Sequence, residues 1–249
     1  MKKALAALVA VLALGGAGAS ASTQTRWRTI VNDQFNRRGL PHHWLRYSHP
    51  YGSAPNNCTD PAHDYVSSGY LHIVEKYEDS KPAGVDCPYG AGWYTGGVSL
   101  PEVAPYSVNN QRITVRFRIV SVGGVAPHYI VPMRYADNGE EDFLESDLLT
   151  QAHSYLHYNG GRIRSDPGYS INVTRWHTLR FTHFNHIVRA YIDKMRRPVW
   201  SYRGNATTTP DATRHIVLQQ ECSHDSGCPK GTTSGYSDIQ IDWIMVADA

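Results

Sequence analysis

Gly139-Glu140-Glu141-Asp142-Phe143-Leu144-Glu145-Ser146-Asp147 is the stretch from which the architecture and chemistry of this chain are best argued. In a β-strand, side chains two positions apart share a face, so Glu140 and Asp142 point the same way and Glu145 points the other way. A β-bulge at Phe143-Leu144 would insert one extra residue and return Glu145 to the face of Glu140. The two glutamate backbones would then lie roughly 13 Å apart, and inward-leaning side chains could close most of that gap. The stretch predicts three carboxyl groups on one face of a bulged strand, although an acidic run also suits a solvated surface.

Two carboxyl groups held about 5–5.5 Å apart are what a retaining glycosidase needs, one as nucleophile and one as proton donor. The pattern Glu140-x-Asp142-x-x-Glu145, with Gly139 before it and an apolar pair inside it, resembles the E-x-D-x-x-E active-site strand of glycoside hydrolase family 16, the laminarinase and lichenase group. The resemblance implies that Glu140 is the nucleophile, Glu145 the acid/base and Asp142 an assisting residue, with no cofactor for catalysis.

Glu141 departs from the family pattern, which has an aliphatic residue at this interior-facing position. A buried unpaired carboxylate is costly. Glu141 therefore needs a partner such as an arginine or must be neutral. Otherwise the register is shifted and the catalytic assignment fails.

Flanking segments resemble the same family in the same order along the chain. Trp93-Tyr94-Thr95-Gly96-Gly97-Val98 is similar to the family segment Y-T-S-G-x-V, and the rings of Trp93 and Tyr94 are candidates for stacking on a sugar. The resemblance also implies that His157, on the strand after the acidic one, and Gln219 line a substrate cleft.

One flanking segment departs from the family. Ala126-Pro127-His128-Tyr129-Ile130 stands where most members carry W-P-A-F-W, whose tryptophans line the sugar cleft. A main stacking platform is therefore expected to be missing. This departure bears on the usual β-glucan substrate more than on the reaction type.

The hydrophobic pattern predicts an all-β protein. Between Arg112 and Ile119, apolar and polar residues alternate strictly, which is typical of a half-buried strand. Many short strands separated by Gly, Pro and Asn turns indicate a β-sandwich, and the resemblance implies a jelly roll of concanavalin A type. It further implies that Asp242 and the carbonyl of Gly69 hold a structural calcium, a cation that prefers oxygen ligands.

The ends and the composition predict one exported domain. Residues 1–21 combine Lys2 and Lys3 with a short apolar run and Ala19-Ser20-Ala21, which is typical of a signal peptide; residues 22–249 are expected to form a single domain. Without the two lysines of residues 1–21, basic residues fall from 24 to 22 and match the 22 acidic ones. A net charge near zero does not point to nucleic acid. We expect a secreted monomer with no membrane segment in its mature form.

The four cysteines predict disulfides, because the chain is expected to be exported. Neighbour pairing, Cys58 with Cys87 and Cys222 with Cys228, is the simplest of three connectivities. The competing interpretation is a zinc site, since 13 histidines are available, but the Cys222-x5-Cys228 spacing matches no common zinc pattern.

The resemblance implies a secreted retaining endo-β-glycosidase that hydrolyses a polysaccharide of β-glucan or galactan type by double displacement. The alternative from another class is a non-catalytic glycan-binding module on the same fold, because fold alone does not fix function. A polysaccharide lyase is a third possibility, although it does not need paired glutamates on one strand.

Overall fold

The structure is a computed structural model that describes residues 26–47, 57–85, 87–88, 90–125, 127–136, 139–158, 162–165, 168–194, 196–209, 213–222, 228–229 and 232–249. The predicted signal peptide, residues 1–21, lies outside the described residues. None of the helical segments that the structure describes has the length and apolar character needed to cross a bilayer.

Strands dominate the described residues, and their only regular helical segment is one turn of 3-10 helix at Pro61–His63. The strands are β1 (Arg28–Asp33), β2 (Leu45–Arg46), β3 (Asn57–Thr59), β4 (Asp64–Ser67), β5 (Tyr70–Glu78), β6 (Gly92–Thr95), β7 (Gly97–Ser99), β8 (Gln111–Val122), β9 (His128–Ala136), β10 (Gly139–Ser146), β11 (Gln151–Tyr158), β12 (Arg162–Ser165), β13 (Tyr169–Ser170), β14 (His177–Phe184), β15 (Ile187–Ile192), β16 (Trp200–Arg203), β17 (His215–Glu221) and β18 (Tyr236–Asp248).

The strands form two sheets. The first has the order β16-β15-β14-β8-β18-β5-β6-β3, with β1 paired to β18 and β4 paired to β5. The second has the order β12-β11-β10-β9-β17-β7-β2, with β13 paired to β11. Neighbours run antiparallel, except that β3 is parallel to β6. The predicted all-β sandwich is confirmed, and β10, the acidic strand, lies inside the second sheet between β9 and β11.

The core lies between the two sheets and is built from the inward residues of alternating strands. On β8, Ile113, Val115, Phe117 and Ile119 are completely buried, as the alternation predicts. From the opposite sheet, Phe143 of β10 stacks on Phe181 of β14, with ring centroids 4.0 Å apart. Burying one such ring contributes about 1.5–3 kcal/mol. The apolar side of the acidic strand is therefore anchored to the opposite sheet.

Both predicted disulfides are present. Cys58 is bonded to Cys87, and Cys222 is bonded to Cys228. The zinc interpretation is wrong for these cysteines, because all four sulfur atoms are used in the two bonds. The first bond attaches β3 to the segment before β6, and the second closes a short loop after β17.

Candidate active site

The predicted bulge on β10 is confirmed by its pairing with β11. Asp142 lies opposite Tyr155 and Glu145 lies opposite His153, so three steps along β10 match two steps along β11. Phe143 and Leu144, the two residues inside the irregularity, are both fully buried in the inter-sheet core. Two consecutive side chains thus point inward, and Glu145 returns to the outer face of the sheet with Glu140 and Asp142.

The irregularity extends to the neighbouring strand β9. Asp142 pairs with Met133 and Glu145 pairs with Ile130, an interval of three residues on each strand. On the other side of β9, Met133 pairs with Val217 and Ile130 pairs with Gln219, so the same three steps of β9 match only two steps of β17. Pro132 lies inside this interval, and a residue without an N–H is tolerated at a bulge. Both central strands therefore carry an extra residue at the same level, directly beneath the carboxyl groups.

Glu140, Asp142 and His157 meet on the outer face of the second sheet. The Nε2 atom of His157 lies 3.1 Å from Oδ2 of Asp142. Burial and the charges of Glu140 and Glu145 raise the pKa of Asp142 well above its usual range. Burial also raises the pKa of Glu140, whereas His157 and a hydrogen bond from Asp142 lower it. Asp142 is therefore the residue that holds the proton and donates it in a hydrogen bond to an ionised Glu140.

The same three side chains are the residues best placed to hold a cation. Their ligand atoms all lie within 4.8 Å of one another, and no other group of three or more His, Cys, Asp or Glu side chains in the described part of the chain is this compact. A hard cation prefers ionised oxygens. Glu140, Asp142 and His157 offer two carboxyl groups and one ring nitrogen, which is a small donor set for such a cation.

His128 lies beside Glu145, the other catalytic candidate, and is not among the site residues predicted from the sequence. Its Nε2 atom lies 3.2 Å from Oε1 of Glu145 and 3.4 Å from Oε1 of Glu221, and its Nδ1 atom lies 2.7 Å from Oδ1 of Asp147. Burial alone would lower the pKa of His128, but hydrogen bonds to Asp147 and Glu145 and the charge of Glu221 raise it to about 10. The imidazolium is therefore charged at neutral pH and surrounded by three carboxyl groups.

A pattern in the sequence could have pointed to His128. It stands two positions before Ile130 on a strand that pairs with the acidic one, so it shares the outer face of the sheet. The comparison with W-P-A-F-W points only to the tryptophans that this segment lacks and does not indicate a role for the histidine.

Glu141 has the partners that its buried position requires. It is 1% exposed, and its carboxylate lies 2.6 Å from Nη1 of Arg134, 2.6 Å from Nη1 of Arg214 and 2.6 Å from Nδ1 of His183. Burial alone would raise the pKa of Glu141, but Arg134, His183 and Arg214 hold it far below its usual range. The alternative of a shifted register is wrong, because Glu141 is paired with two arginines and lies on the face opposite Glu140.

A second buried carboxyl group lies in the first sheet. Glu75 of β5 is fully buried, and neither of its oxygen atoms has a hydrogen-bond partner among the described residues. Burial raises its pKa to about 8; His128 opposes this shift, and Asp147 and Glu221 add to it. At neutral pH Glu75 is therefore mostly protonated.

The expectation that Trp93 or Tyr94 stacks on a sugar is wrong. The two residues are 3% and 1% exposed and lie on β6, a strand of the first sheet. Trp93 packs on Val125 and Cys222, and its Nε1 donates to the carbonyl of Pro229 at 3.2 Å. Tyr94 packs against the Cys58–Cys87 bond, and its hydroxyl donates to the carbonyl of Gly90 at 2.7 Å. Neither ring offers a face to a ligand.

His157 and Gln219 are both placed on the outer face of the second sheet. His157 pairs with Glu140 across β10 and β11, and Gln219 pairs with Ile130, which pairs in turn with Glu145. The Oε1 atom of Gln219 is buried and has no hydrogen-bond partner among the described residues. Because Gln219 is 2% exposed, this carbonyl is an unpaired acceptor that lies beneath the surface of the outer face.

Tyrosine and histidine rings occupy the face that tryptophans line in the resembling family. Tyr155 stacks on His153 at 5.8 Å and is tilted against His157 at 6.3 Å. Tyr135 is 37% exposed and meets His215 edge-on at 5.7 Å. These amphipathic rings offer smaller apolar faces than tryptophan does.

The calcium expectation stays a prediction. Asp242 lies 3.3 Å from Nε of Arg116, so a guanidinium group already neutralises its carboxylate. Gly69 adopts a positive φ of 82° in the turn between β4 and β5, and its Cα faces Oδ1 of Asn36. The two predicted ligands thus provide one paired carboxylate and one carbonyl, which is a poor fit to a cation that takes 6–8 oxygen ligands.

Solved structures with the same architecture are enzymes that act on glycans. Neither a protein-family model nor a curated protein sequence matches the chain. The laminarinase catalytic domain of Thermotoga maritima superposes with a TM-score of 0.72 and 13% identity, covering 90% of this chain and 99% of that one. An endo-β-1,3-glucanase of Pyrococcus furiosus gives a TM-score of 0.69 and 16% identity, covering 89% and 94%.

A third structure comes from members of the human gut microbiota whose endo-acting O-glycanases initiate mucin breakdown. It gives a TM-score of 0.68 and 16% identity, covering 89% of this chain and 91% of that one. A further match at a TM-score of 0.71 is a non-specific endo-β-1,3(4)-glucanase of glycoside hydrolase family 16. This chain therefore has the β-sandwich fold of the family 16 laminarinases and endo-β-glucanases.

Proposed function

We propose that this chain is a retaining endo-β-glycosidase that hydrolyses a polysaccharide by double displacement. The observation that carries the proposal is the bulge at Phe143-Leu144, because it brings Glu145 to the face of Glu140 and Asp142. A strand without it would place the two glutamates on opposite sides of the sheet. The endoglycanase structures with the same fold support the proposal.

Glu140 is the proposed nucleophile. Its carboxylate attacks the anomeric carbon of the sugar, the bond to the leaving oxygen breaks, and a glycosyl-enzyme ester forms. Asp142 donates a hydrogen bond to Glu140 and keeps the ionised form available in a partly buried site. His157 lies 3.1 Å from Oδ2 of Asp142 and so helps to orient this carboxyl group.

Glu145 is the proposed acid/base. It gives its proton to the leaving glycosidic oxygen in the first step and then takes a proton from the water that opens the ester. The His128 imidazolium lies 3.2 Å from Oε1 of Glu145 and orients that oxygen atom. Glu145 therefore has a cationic partner beside it whenever it has lost its proton.

The proposed substrate is a β-glucan or galactan without charged groups. The carboxyl groups of Glu140, Glu145, Asp147 and Glu221 crowd the site, and they repel sulfate or carboxylate groups on a sugar. The rings of the cleft are tyrosine and histidine, which favours a substrate bound through hydroxyl groups. Mucin O-glycans belong in the test because an endo-acting O-glycanase structure shares the fold.

Export is part of the proposal. The two disulfides and the predicted signal peptide both support an oxidising compartment outside the cytosol. We propose that the mature protein is a secreted monomer.

The test uses the purified protein, a glycan panel and three matched variants. The panel contains laminarin, lichenan, agarose and mucin O-glycans, and the readout is newly formed reducing ends. We expect the wild type to release them from one neutral glycan, and Glu140→Gln and Glu145→Gln to lose about 10³-fold or more of that rate. Glu102→Gln, whose side chain is 69% exposed, is the control that keeps full activity.

The other function classes give different outcomes in the same assay. Saturable binding without turnover, unchanged in both glutamate variants, would identify a glycan-binding module and refute the hydrolase. An unsaturated product that absorbs in the ultraviolet would identify a lyase. Azide with Glu145→Ala should give a glycosyl azide of retained configuration, whereas azide with Glu140→Ala should give the inverted one, since each substitution removes a different step.

A further inference from the structure

The outer face of the first sheet, on the side of the molecule opposite the candidate active site, carries a concentration of arginine. β8, β14, β15 and β16 are neighbours in this sheet, and their residues are all described. The outward residues on these four strands include no Asp or Glu, and they include Arg112, Arg116, Arg118, Arg180, Arg189 and Arg203. We call these side chains the arginine face.

The arginine face contrasts with the composition of the whole chain. Basic and acidic residues are nearly balanced, at 24 and 22. A group of acids lies on the opposite side, where Glu145, Asp147 and Glu221 surround His128, while β18 at the border of the arginine face carries Asp238 and Asp242. The arginine face is therefore a local excess of positive charge on the side away from the candidate active site.

Aromatic rings, rather than carboxylates, hold most of these guanidinium groups. Arg112 lies 5.2 Å from the ring centre of Trp27, and Arg180 lies 4.1 Å from that of Tyr191. Arg116 and Arg118 lie 5.4 and 4.8 Å from the ring centre of Trp176. Stacking fixes the plane of a guanidinium and leaves its edge N–H groups able to bind an anion.

The arginines repel one another. Partial burial and the charge of Arg180 both lower the pKa of Arg112. Arg116 has a carboxylate partner, Asp242, at 3.3 Å, and its side chain is still 42% exposed. Like charges on neighbouring strands are stabilised by a ligand that carries several negative charges.

We propose that the arginine face binds an anionic polysaccharide, with sulfate or carboxylate groups paired to the guanidinium groups. Charge complementarity fixes the sign of the ligand, and arginines spread over four neighbouring strands suit an extended chain rather than a small molecule. The disulfides favour an oxidising compartment, where glycans are abundant polyanions. The surface is separate from the candidate active site, so it attaches the protein to a charged matrix while the cleft stays open.

The test measures binding of the purified full chain to dextran sulfate, polygalacturonate and uncharged dextran of matched length, by calorimetry at two salt concentrations. We expect saturable binding to one or both charged polymers, weakening as salt rises, and none to dextran. The two charged probes distinguish sulfate from carboxylate as the preferred anion.

The decisive comparison uses two double variants with the same change in net charge. Arg180→Gln with Arg189→Gln removes two members of the arginine face, and binding should weaken at least about tenfold. Arg37→Gln with Arg38→Gln removes two exposed arginines elsewhere and should leave binding within about twofold. Circular dichroism and thermal unfolding establish that both proteins fold.

Three results would overturn the proposal. The first is no saturable binding to either charged polymer at low salt. The second is an equal loss in both double variants, which would mean that net charge alone is responsible. The third is tighter binding to phosphatidylglycerol vesicles or duplex DNA than to both charged glycans, which would assign the face to another polyanion. Each readout is binding, so failure of the proposed glycosidase activity leaves this test unaffected.

Discussion

Glu141→Gln is the substitution that most directly probes how the acidic strand is held in place. The side chain keeps its size and loses its charge, while Arg134, Arg214 and His183 stay buried around it. Removing one partner of a buried ion pair costs about 3–5 kcal/mol, because the remaining charge is left without compensation. A domain of this kind has about 5–15 kcal/mol of stability in total, so the loss is easily measured.

The pH dependence of this loss has a definite sign. The pKa of Glu141 is far below its usual range in the folded protein. Its contribution to stability is therefore fully present above the unfolded value of about 4.3 and is lost as pH falls through the folded value. We expect the difference between the wild type and Glu141→Gln to be largest near pH 7 and to shrink below about pH 4.

The assay is urea unfolding followed by tryptophan fluorescence, with the free energy of unfolding compared at pH 7 and pH 3.5. Glu102→Gln serves as the control, since an exposed acid should change stability by no more than about 0.5 kcal/mol. A loss of less than about 1 kcal/mol for Glu141→Gln, or a loss that does not change with pH, would refute the reasoning.

Two further substitutions test charged groups near the site. His128→Gln removes the cation that orients Glu145 at 3.2 Å, so kcat/KM should fall by at least about tenfold, whereas His215→Gln should leave it within about threefold. Full activity of His128→Gln would contradict this role. Glu75→Gln should raise the free energy of unfolding by about 3–5 kcal/mol at pH 9 and change it little at pH 5. The reason is that the wild type must ionise the buried Glu75 side chain as pH rises through about 8. Equal effects at both pH values in urea unfolding would exclude this explanation.

The local geometry of the acidic strand could be predicted because it depends on neighbours in sequence. The alternation of Glu140 and Asp142 fixes one face, and the apolar pair Phe143-Leu144 requires two consecutive inward positions, which only a bulge supplies. The same local logic predicted the buried face of β8. The disulfides follow the simplest of the three connectivities that the sequence left open.

The partners of buried groups could not be predicted, because they come from strands far apart in sequence. Glu141 is satisfied by residues 7, 42 and 73 positions away. The sequence required a partner for Glu141 but gave no means of choosing these three. His128 was missed for the same reason, since its role depends on Glu145 and Glu221 of two neighbouring strands.

Trp93 and Tyr94 show how a local pattern misleads about orientation. Adjacent rings on a strand point to opposite faces, so one of them was expected to reach the cleft. Strand β6 belongs to the first sheet, however, where Trp93 packs on Cys222 and Tyr94 packs on Cys58 and Cys87. Which sheet a short strand joins depends on long-range pairing, and the sequence pattern does not report it.

The account rests centrally on Glu140 as the nucleophile on a bulged strand. An activated 2-deoxy-2-fluoro glycoside of the preferred sugar should form a stable ester, because the fluorine slows the second step more than the first. Digestion and mass spectrometry then identify the labelled residue. The account predicts one sugar per chain, attached to Glu140 and absent from Glu140→Gln. A label on Glu145, or turnover of the same substrate with no labelled glutamate, would contradict it.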